Sequence, residues 1–365
     1  MEENDSTKAY TQALERAILD LENDFVSGAR QLANRSLQQL HDIFSLAGQA
    51  ARSKDELWSM LVSLARGLIG ARPSMNAAIK STVLRTLDKI RPEWDKEEND
   101  SISKVCERAK SGIQRHIEGR IGASDRLERN FVEWFVESGQ VNEDGIRIIR
   151  ILTLSNSSTI RAALLSLLKS TTSLTMHLTV LESRPRFEGA DLAASLLEAF
   201  VKGSSNAGND GNETKLKVTM APDCAVGVLV SNIDVVLLGA DRITAKGHVL
   251  NKIGSLAAAV CARQLNTNAK VVVVSEVDKI VADESEQPAR EEENHPAGEL
   301  TESYSTHAKR ELEAERVDVF GEWFEWVPKQ FVNCYITNEG VLGHDQISRI
   351  GKQIGTLEAQ VFASS

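Results

Sequence analysis

Residues 233–274 read IDVVLLGADRITAKGHVLNKIGSLAAAVCARQLNTNAKVVVV. Two short apolar runs, IDVVLLGA and KVVVV, flank a stretch whose alanine-rich part, from NKIGS onward, has helical spacing. A β-branched run without polar alternation is buried on both faces, which is the signature of a parallel strand. The same alternation extends in both directions. Upstream it gives IRIIRILTL then TIRAALLSLLKS, LTMHLTVLE then ADLAASLLEAFVKG, and KLKVTMA then CAVGVLVSN; downstream it ends in the strand VNCYITN. Repeated strand–helix units predict an α/β layer over residues 146–365, with right-handed crossovers and ligands bound beyond the carboxyl ends of the strands.

The first third reads differently. Ala13, Ile18, Leu21, Phe25, Ala29, Leu32, Leu37, Leu40 and Phe44 recur at three- and four-residue steps, predicting a helical stripe over residues 8–48. Ser53 to Glu56 has capping-box spacing and opens DELWSMLVSLARGLIG, which Gly70 closes. Another helix begins near Pro73 and runs to about Ile90, and Pro92 with EWDKEEND marks a solvated connection. At 365 residues the chain exceeds one average domain. The expected division is a helical domain over 1–121, a connecting helix over 122–145 and the α/β domain over 146–365. Residues 281–316, rich in Glu, are expected to form a flexible acidic surface insertion with helix toward Arg316, and residues 203–213 a polar connector.

Composition narrows the functions. The 42 basic and 52 acidic side chains give a net charge of −10, which disfavours a general nucleic-acid footprint but permits a local basic pocket for a small phosphate. Cys106, Cys224, Cys261 and Cys334 form no CxxC pair, and the seven histidines show no ligand spacing, so neither a metal nor any other cofactor is expected. The acidic N-terminus resembles no leader peptide, and no run approaches the roughly 20 apolar residues that cross a bilayer. A cytoplasmic protein without membrane contact is expected.

Four strand-end loops carry the chemistry. Leu152–Thr159, LTLSNSST, leads hydroxyls into a helix N-terminus, which suits either a bound phosphate or simple capping. Glu182–Gly189, ESRPRFEG, puts two arginines on a proline turn, fit for a phosphate or for the open surface. Leu238–Ser255 contains Asp241 at a strand end and Asn251–Lys252, read as the start of a helix, where the lysine opposes the helix dipole and a bound anion would make electrostatic sense. Ser275–Ile280 adds Lys279. Cations, hydroxyls and one carboxylate suggest a phosphorylated sugar or nucleotide.

GADRITAKGHVLNKIGS, together with LTLSNSST, ESRPRFEG and YITNEGVL, resembles the family of eukaryotic translation initiation factor 2B alpha, beta and delta subunits. That family also includes isomerases of methylthioribose-1-phosphate and ribose-1,5-bisphosphate. The resemblance covers most of 146–280 and 318–345, and more loosely the first third. It implies a helical N-terminal domain followed by a Rossmann-like parallel sheet. It also implies a proton-transfer pair of cysteine and aspartate: the aspartate falls on Asp241, the cysteine on Ser155, with Leu154 where a histidine is usual. Ligand positions implied by the family are Gly28, Arg72, Ser157, Ser158, Thr159, Arg184, Asn251, Lys252 and Lys279, although Ser27 replaces an arginine before Gly28. The initiation-factor alpha subunits usually lack the aspartate and the arginine–proline loop, so the chain is intermediate.

The resemblance thus implies a regulatory, catalytically impaired phosphosugar or nucleotide binder. As partners it implies a homodimer and translation initiation factor subunits. The competing expectations are an active aldose–ketose isomerase and an assembly subunit with a relic pocket.

Overall fold

The computed structural model describes residues 5–24, 27–73, 76–94, 100–138, 145–171, 173–204, 215–285, 288, 294–312 and 317–363. Six helices come first: α1 (Asp5–Glu22), α2 (Ala29–Ala50), α3 (Lys54–Gly70), α4 (Asn76–Trp94), α5 (Ile102–Ile121) and α6 (Ala123–Ser138). The helical stripe expected over 8–48 is carried by two helices, α1 and α2, and its Phe25 lies outside the described residues. Asp24 Oδ1 accepts the Ser27 N–H at 2.8 Å, and Gln31 Oε1 accepts the Gly28 N–H at 3.0 Å, so local polar bonds end one helix and start the next. Both helices still face one core, where Leu32, Leu37, Leu40, Phe44, Leu57, Leu61, Leu64 and Leu68 are fully buried. Each such side chain contributes roughly 1.5–3 kcal/mol by burial.

Helix α4 continues through Pro92 rather than stopping before it. The proline forfeits one N–H bond to the preceding turn, and Trp94 beyond it packs edge-on to Trp58 at 5.2 Å. Ser53 caps α3 by accepting the Glu56 N–H at 3.1 Å, while the Glu56 carboxylate reaches the Arg52 N–H at 2.6 Å, one residue short of a reciprocal box.

The α/β region follows: β1 (Arg147–Thr153), α7 (Ser158–Ser170), β2 (Leu174–Leu181), α8 (Glu188–Ser204), β3 (Lys215–Ala221), the single turn α9 (Val226–Leu229), β4 (Val235–Leu238), β5 (Arg242–Ile243), β6 (Val249–Lys252), α10 (Ser255–Leu265) and β7 (Lys270–Val274). Then come the short helices α11 (Ala297–Thr301) and α12 (Thr306–Glu311), strands β8 (Phe324–Val327), β9 (Cys334–Thr337) and β10 (Gly340–Leu342), and α13 (His344–Ala363). The main sheet has seven strands in the order β10-β9-β7-β4-β1-β2-β3, all parallel except the β9–β10 hairpin. The chain winds one way from β1 through β3 and the other way from β4 onward. The loops after β1 and β4 therefore diverge, which opens a crevice at the strand ends.

A second, antiparallel sheet of β5, β6 and β8 sits beside that crevice. It corrects one sequence expectation: Asn251 and Lys252 are the last residues of β6, and the helix begins three residues later at Ser255. Its N-terminal amides already have an anion, because Glu325 Oε1 accepts from Gly254 N–H at 2.6 Å and Leu256 N–H at 2.9 Å. Helix α6 packs Leu127, Phe131 and Phe135 against the sheet, and α13 returns Ile354 and Val361 to the helical core.

Most of the expected connector at 203–213 lies outside the described residues. The acidic stretch 281–316 is more than an excursion: its residues 294–301 pack beside the crevice through the contacts given below, while 286–287, 289–293 and 313–316 lie outside the described residues. No helix among the described residues is long and apolar enough to cross a membrane.

Candidate functional site

A cleft of about 470 Å³ lies between the first helices and the carboxyl ends of the strands. Six cationic side chains line it, Arg30, Arg72, Arg161, Arg186, Lys252 and Lys279, against two carboxylates, Glu188 and Asp241. In a chain of net charge −10, that local reversal of sign points to an anionic ligand. No cluster of His, Cys, Asp or Glu among the described residues is arranged to hold a metal ion.

The loop after β1 supplies the hydroxyls. Ser157 caps α7 by accepting the Ile160 N–H at 3.3 Å, so the capping reading is correct for that side chain. Ser155, Ser158 and Thr159 line the cleft around it. Ser155 has φ +66°, a left-handed conformation unusual for a side-chain-bearing residue, and donates its N–H to Ser183 Oγ at 2.7 Å. Ser183, with φ +61°, and Arg184 donate their own N–H groups to Asp223 Oδ1 and Oδ2, each at 2.8 Å. The Asp223 carboxylate thus fastens the loop after β2, which in turn holds the loop after β1. Gly189, in the first turn of α8, lies directly against β2; a Cβ there would lie 1.9 Å from the Leu181 carbonyl oxygen, so only glycine fits.

The loop after β4 supplies Asp241. Its N–H donates to the Leu250 carbonyl at 2.8 Å. The side chain keeps some surface toward the cleft, yet protein crowds it elsewhere. That burial pushes its carboxyl above the ordinary range, Lys279 and Lys252 pull it back, and Glu188 adds to the rise. Lys279 donates to the Ala240 carbonyl, and the buried Arg72 donates to the Asp24 carbonyl, which ties the cleft to the first helices. Lys252, almost fully buried, lies 2.8 Å from Glu188, off the angle of a regular hydrogen bond, and 4.6 Å from the centre of the Trp323 ring. Asn251 donates to Ser255 Oγ at 2.8 Å, which leaves its carbonyl oxygen beside Gly239 at the cleft floor.

Of the residues expected from sequence, Gly28, Arg72, Ser155, Ser157, Ser158, Thr159, Asp241, Asn251, Lys252 and Lys279 all line this cleft. Arg184 does not. Its guanidinium donates to the Leu300 carbonyl at 3.2 Å and lies over the Phe187 ring, and Arg186 on the same turn enters the lining instead. Cys224 is exposed and no cysteine lines the cleft, so no thiol stands in for the one missing at Ser155.

The sequence reading passed over Arg30, Arg161, Glu188 and Trp323. Arg161 lies four residues after the Ser157 cap, one turn along the same helix, and so was within reach of a helical-spacing argument, while Glu188 stands in the arginine loop itself. Trp323 becomes a site residue only through β8, a strand of the second sheet, and no local signal marks it.

The sequence profile of the initiation factor 2 subunit family matches residues 25–344. The chain belongs to that family. Within it, the chain is 27% identical over 301 residues to methylthioribose-1-phosphate isomerase of Pelotomaculum thermopropionicum, covering 80% of this chain and 73% of that one. It is 33% identical over 147 residues to ribose 1,5-bisphosphate isomerase of Archaeoglobus fulgidus, covering 38% of this chain and 41% of that one. The fold is that of a subunit in the tetrameric eIF2B-beta2-delta2 complex from C. thermophilum, with a TM-score of 0.65 at 18% identity over 94% of this chain and 95% of that one. A helical region followed by a mostly parallel α/β sheet is thus the architecture of this family member, as the resemblance implied.

Proposed function

We propose that this family member binds a phosphorylated sugar or nucleotide in the cleft, acts as a regulatory, alpha-like subunit in translation initiation, and is impaired in aldose–ketose isomerisation. One observation carries the reading: six cations and the helix-start hydroxyls of α7 converge on a cleft whose proton-transfer position holds Ser155 where a thiol would be needed. Arg72, Lys252, Lys279 and the Ser158–Thr159 amides of α7 would receive phosphate oxygens. Moving a proton between neighbouring carbons of a sugar needs groups that titrate near the working pH. Asp241, raised by burial, suits one half of that task. A serine hydroxyl, far above that range, does not suit the other, and a loss of roughly 10²–10⁴-fold in rate follows.

A retained isomerase activity is the second reading. It is favoured by the raised carboxyl of Asp241 and by relatives that are isomerases. Turnover assays with ribose-1,5-bisphosphate and methylthioribose-1-phosphate separate the two. We expect calorimetric binding with little turnover; robust turnover that vanishes in Asp241→Asn would replace the regulatory reading with the catalytic one. Absence of phosphosugar binding by the unmodified chain would leave only an assembly role. The translation link and self-association are tested by co-purification with initiation factor subunits and by the oligomeric state in solution. Recovery of neither would remove them.

A further inference from the structure

Residues 294–300, from the acidic stretch, lie along the cleft rim. The His295 N–H donates to the Gly321 carbonyl at 2.8 Å, and its ring stacks on Trp323 with centroids 3.8 Å apart. From α11, Glu299 accepts two hydrogen bonds from the guanidinium of Arg186, from Nε at 3.0 Å and Nη2 at 2.7 Å. The same carboxylate lies 2.9 Å from His295 Nδ1. Arg184 Nη2 donates to the Leu300 carbonyl. Both arginines of the loop after β2 are therefore tied to this one segment.

A two-pronged guanidinium–carboxylate bond uses the edge that the guanidinium would present to a phosphate. The two anions cannot share it. We propose that Glu299 is an intramolecular competitor for the ligand's phosphate, and that residues 294–301 form a strap which must release Arg186 before that cation can engage the ligand. The inference rests on the cleft being a phosphate site, as argued above. Two features favour a releasable contact. The Arg186 and Glu299 side chains are 42% and 31% exposed, so water screens their attraction. His295 Nε2 is buried with no hydrogen-bond partner among the described residues, a cost of the closed state that opening removes. Arg186 and His295 hold the Glu299 carboxyl down at about 2, so the competitor stays charged at any physiological pH.

The test is calorimetric titration of the full chain with ribose 5-phosphate, comparing the unmodified protein with E299Q and E302Q. Glu302 is an exposed carboxylate of the same segment and controls for bulk charge. E299Q is expected to bind roughly threefold to tenfold more tightly, as the loss of a solvent-screened ion pair would allow. E302Q is expected to match the unmodified chain, and R186A combined with E299Q to erase the gain. Backbone amides of 295–301 in the unmodified protein should exchange hydrogen faster when ligand is bound. If E299Q binds no tighter, or E302Q gains as much, the strap is overturned while the phosphate site stands. If none of the chains binds, the functional reading falls and the strap with it.

Discussion

At the scale of single residues, two arginines two positions apart have opposite fates. Arg186 lines the cleft, whereas Arg184 is spent on the Leu300 carbonyl and the Phe187 ring. Arg186→Ala should weaken ribose 5-phosphate binding by about 1–3 kcal/mol, the range for a charge-assisted hydrogen bond. Arg184→Ala should leave affinity within about 0.5 kcal/mol, as for a side chain outside the contact. Calorimetry on both variants decides between them; an equal loss in each would return Arg184 to the ligand set. The sequence offered the pair but not the choice, because the selection depends on where Leu300 lies, more than a hundred residues downstream.

Ser155 invites the converse substitution. A thiol there would lie two residues ahead of the Ser157 cap, in a cleft whose cations favour a thiolate. Ser155→Cys should raise turnover of ribose-1,5-bisphosphate by at least about 10²-fold, the contribution of one positioned acid–base group. A flat result in a stopped assay would mean that Asp241 lacks a competent partner for a reason other than the missing sulfur.

At the scale of elements, α4 and α5 bury a histidine between cations. Lys89 Nζ lies 2.9 Å from His116 Nδ1. Burial first, then Lys89 and Arg120, push the imidazole down to about 4. In the unfolded chain it titrates near 6.5, so between those values the unfolded state binds more protons and stability must fall as pH falls. His116 alone should make the fold about 3 kcal/mol less stable at pH 4 than at pH 7, with the loss beginning near pH 6.5. Urea unfolding of His116→Gln across that range should show a flatter profile than the unmodified chain; identical slopes would mean that His116 is protonated in the native state.

The same scale shows what could be read beforehand. The central strands β4 and β7 were legible because doubly buried strands need uninterrupted apolar runs, which VVLL and VVVV supply; β1 was legible from the apolar end of its run, after Arg147 and Arg150. The second sheet was not. Strand β5 has two residues, and β6 ends in buried Asn251 and Lys252, which no hydropathy pattern assigns to a strand. Its existence depends on β8, about seventy residues away, and on Glu325 satisfying the amides at the start of α10. The site was legible where it lies on strand-end loops and opaque where the acidic stretch and β8 complete it.

At the scale of the whole molecule, the helical and α/β regions are joined by charges that are largely removed from water. Arg120 of α5 bonds to Asp278 and lies 3.9 Å from Glu276, and Arg30 lies 3.6 Å from Glu276 on the other side. Glu276 precedes, and Asp278 lies within, the turn that presents Lys279 to the cleft. Removing one member of such a buried group strands its partners, at a cost of about 3–5 kcal/mol. Arg120→Met should lose that much in denaturant unfolding and also weaken anion binding, through misplacement of Lys279. A stable variant with unchanged affinity would show that the network neither braces the interface nor aims the lysine.

The cleft draws Arg30 and Arg72 from the helices, and Arg161, Arg186, Lys252 and Lys279 from the strand side. A guest seated there would act as a rivet between two halves already laced together by α6 and α13. Heating should then show a later melt with the guest in place, and removing the cations of one jaw, Arg30 and Arg72, should abolish that delay.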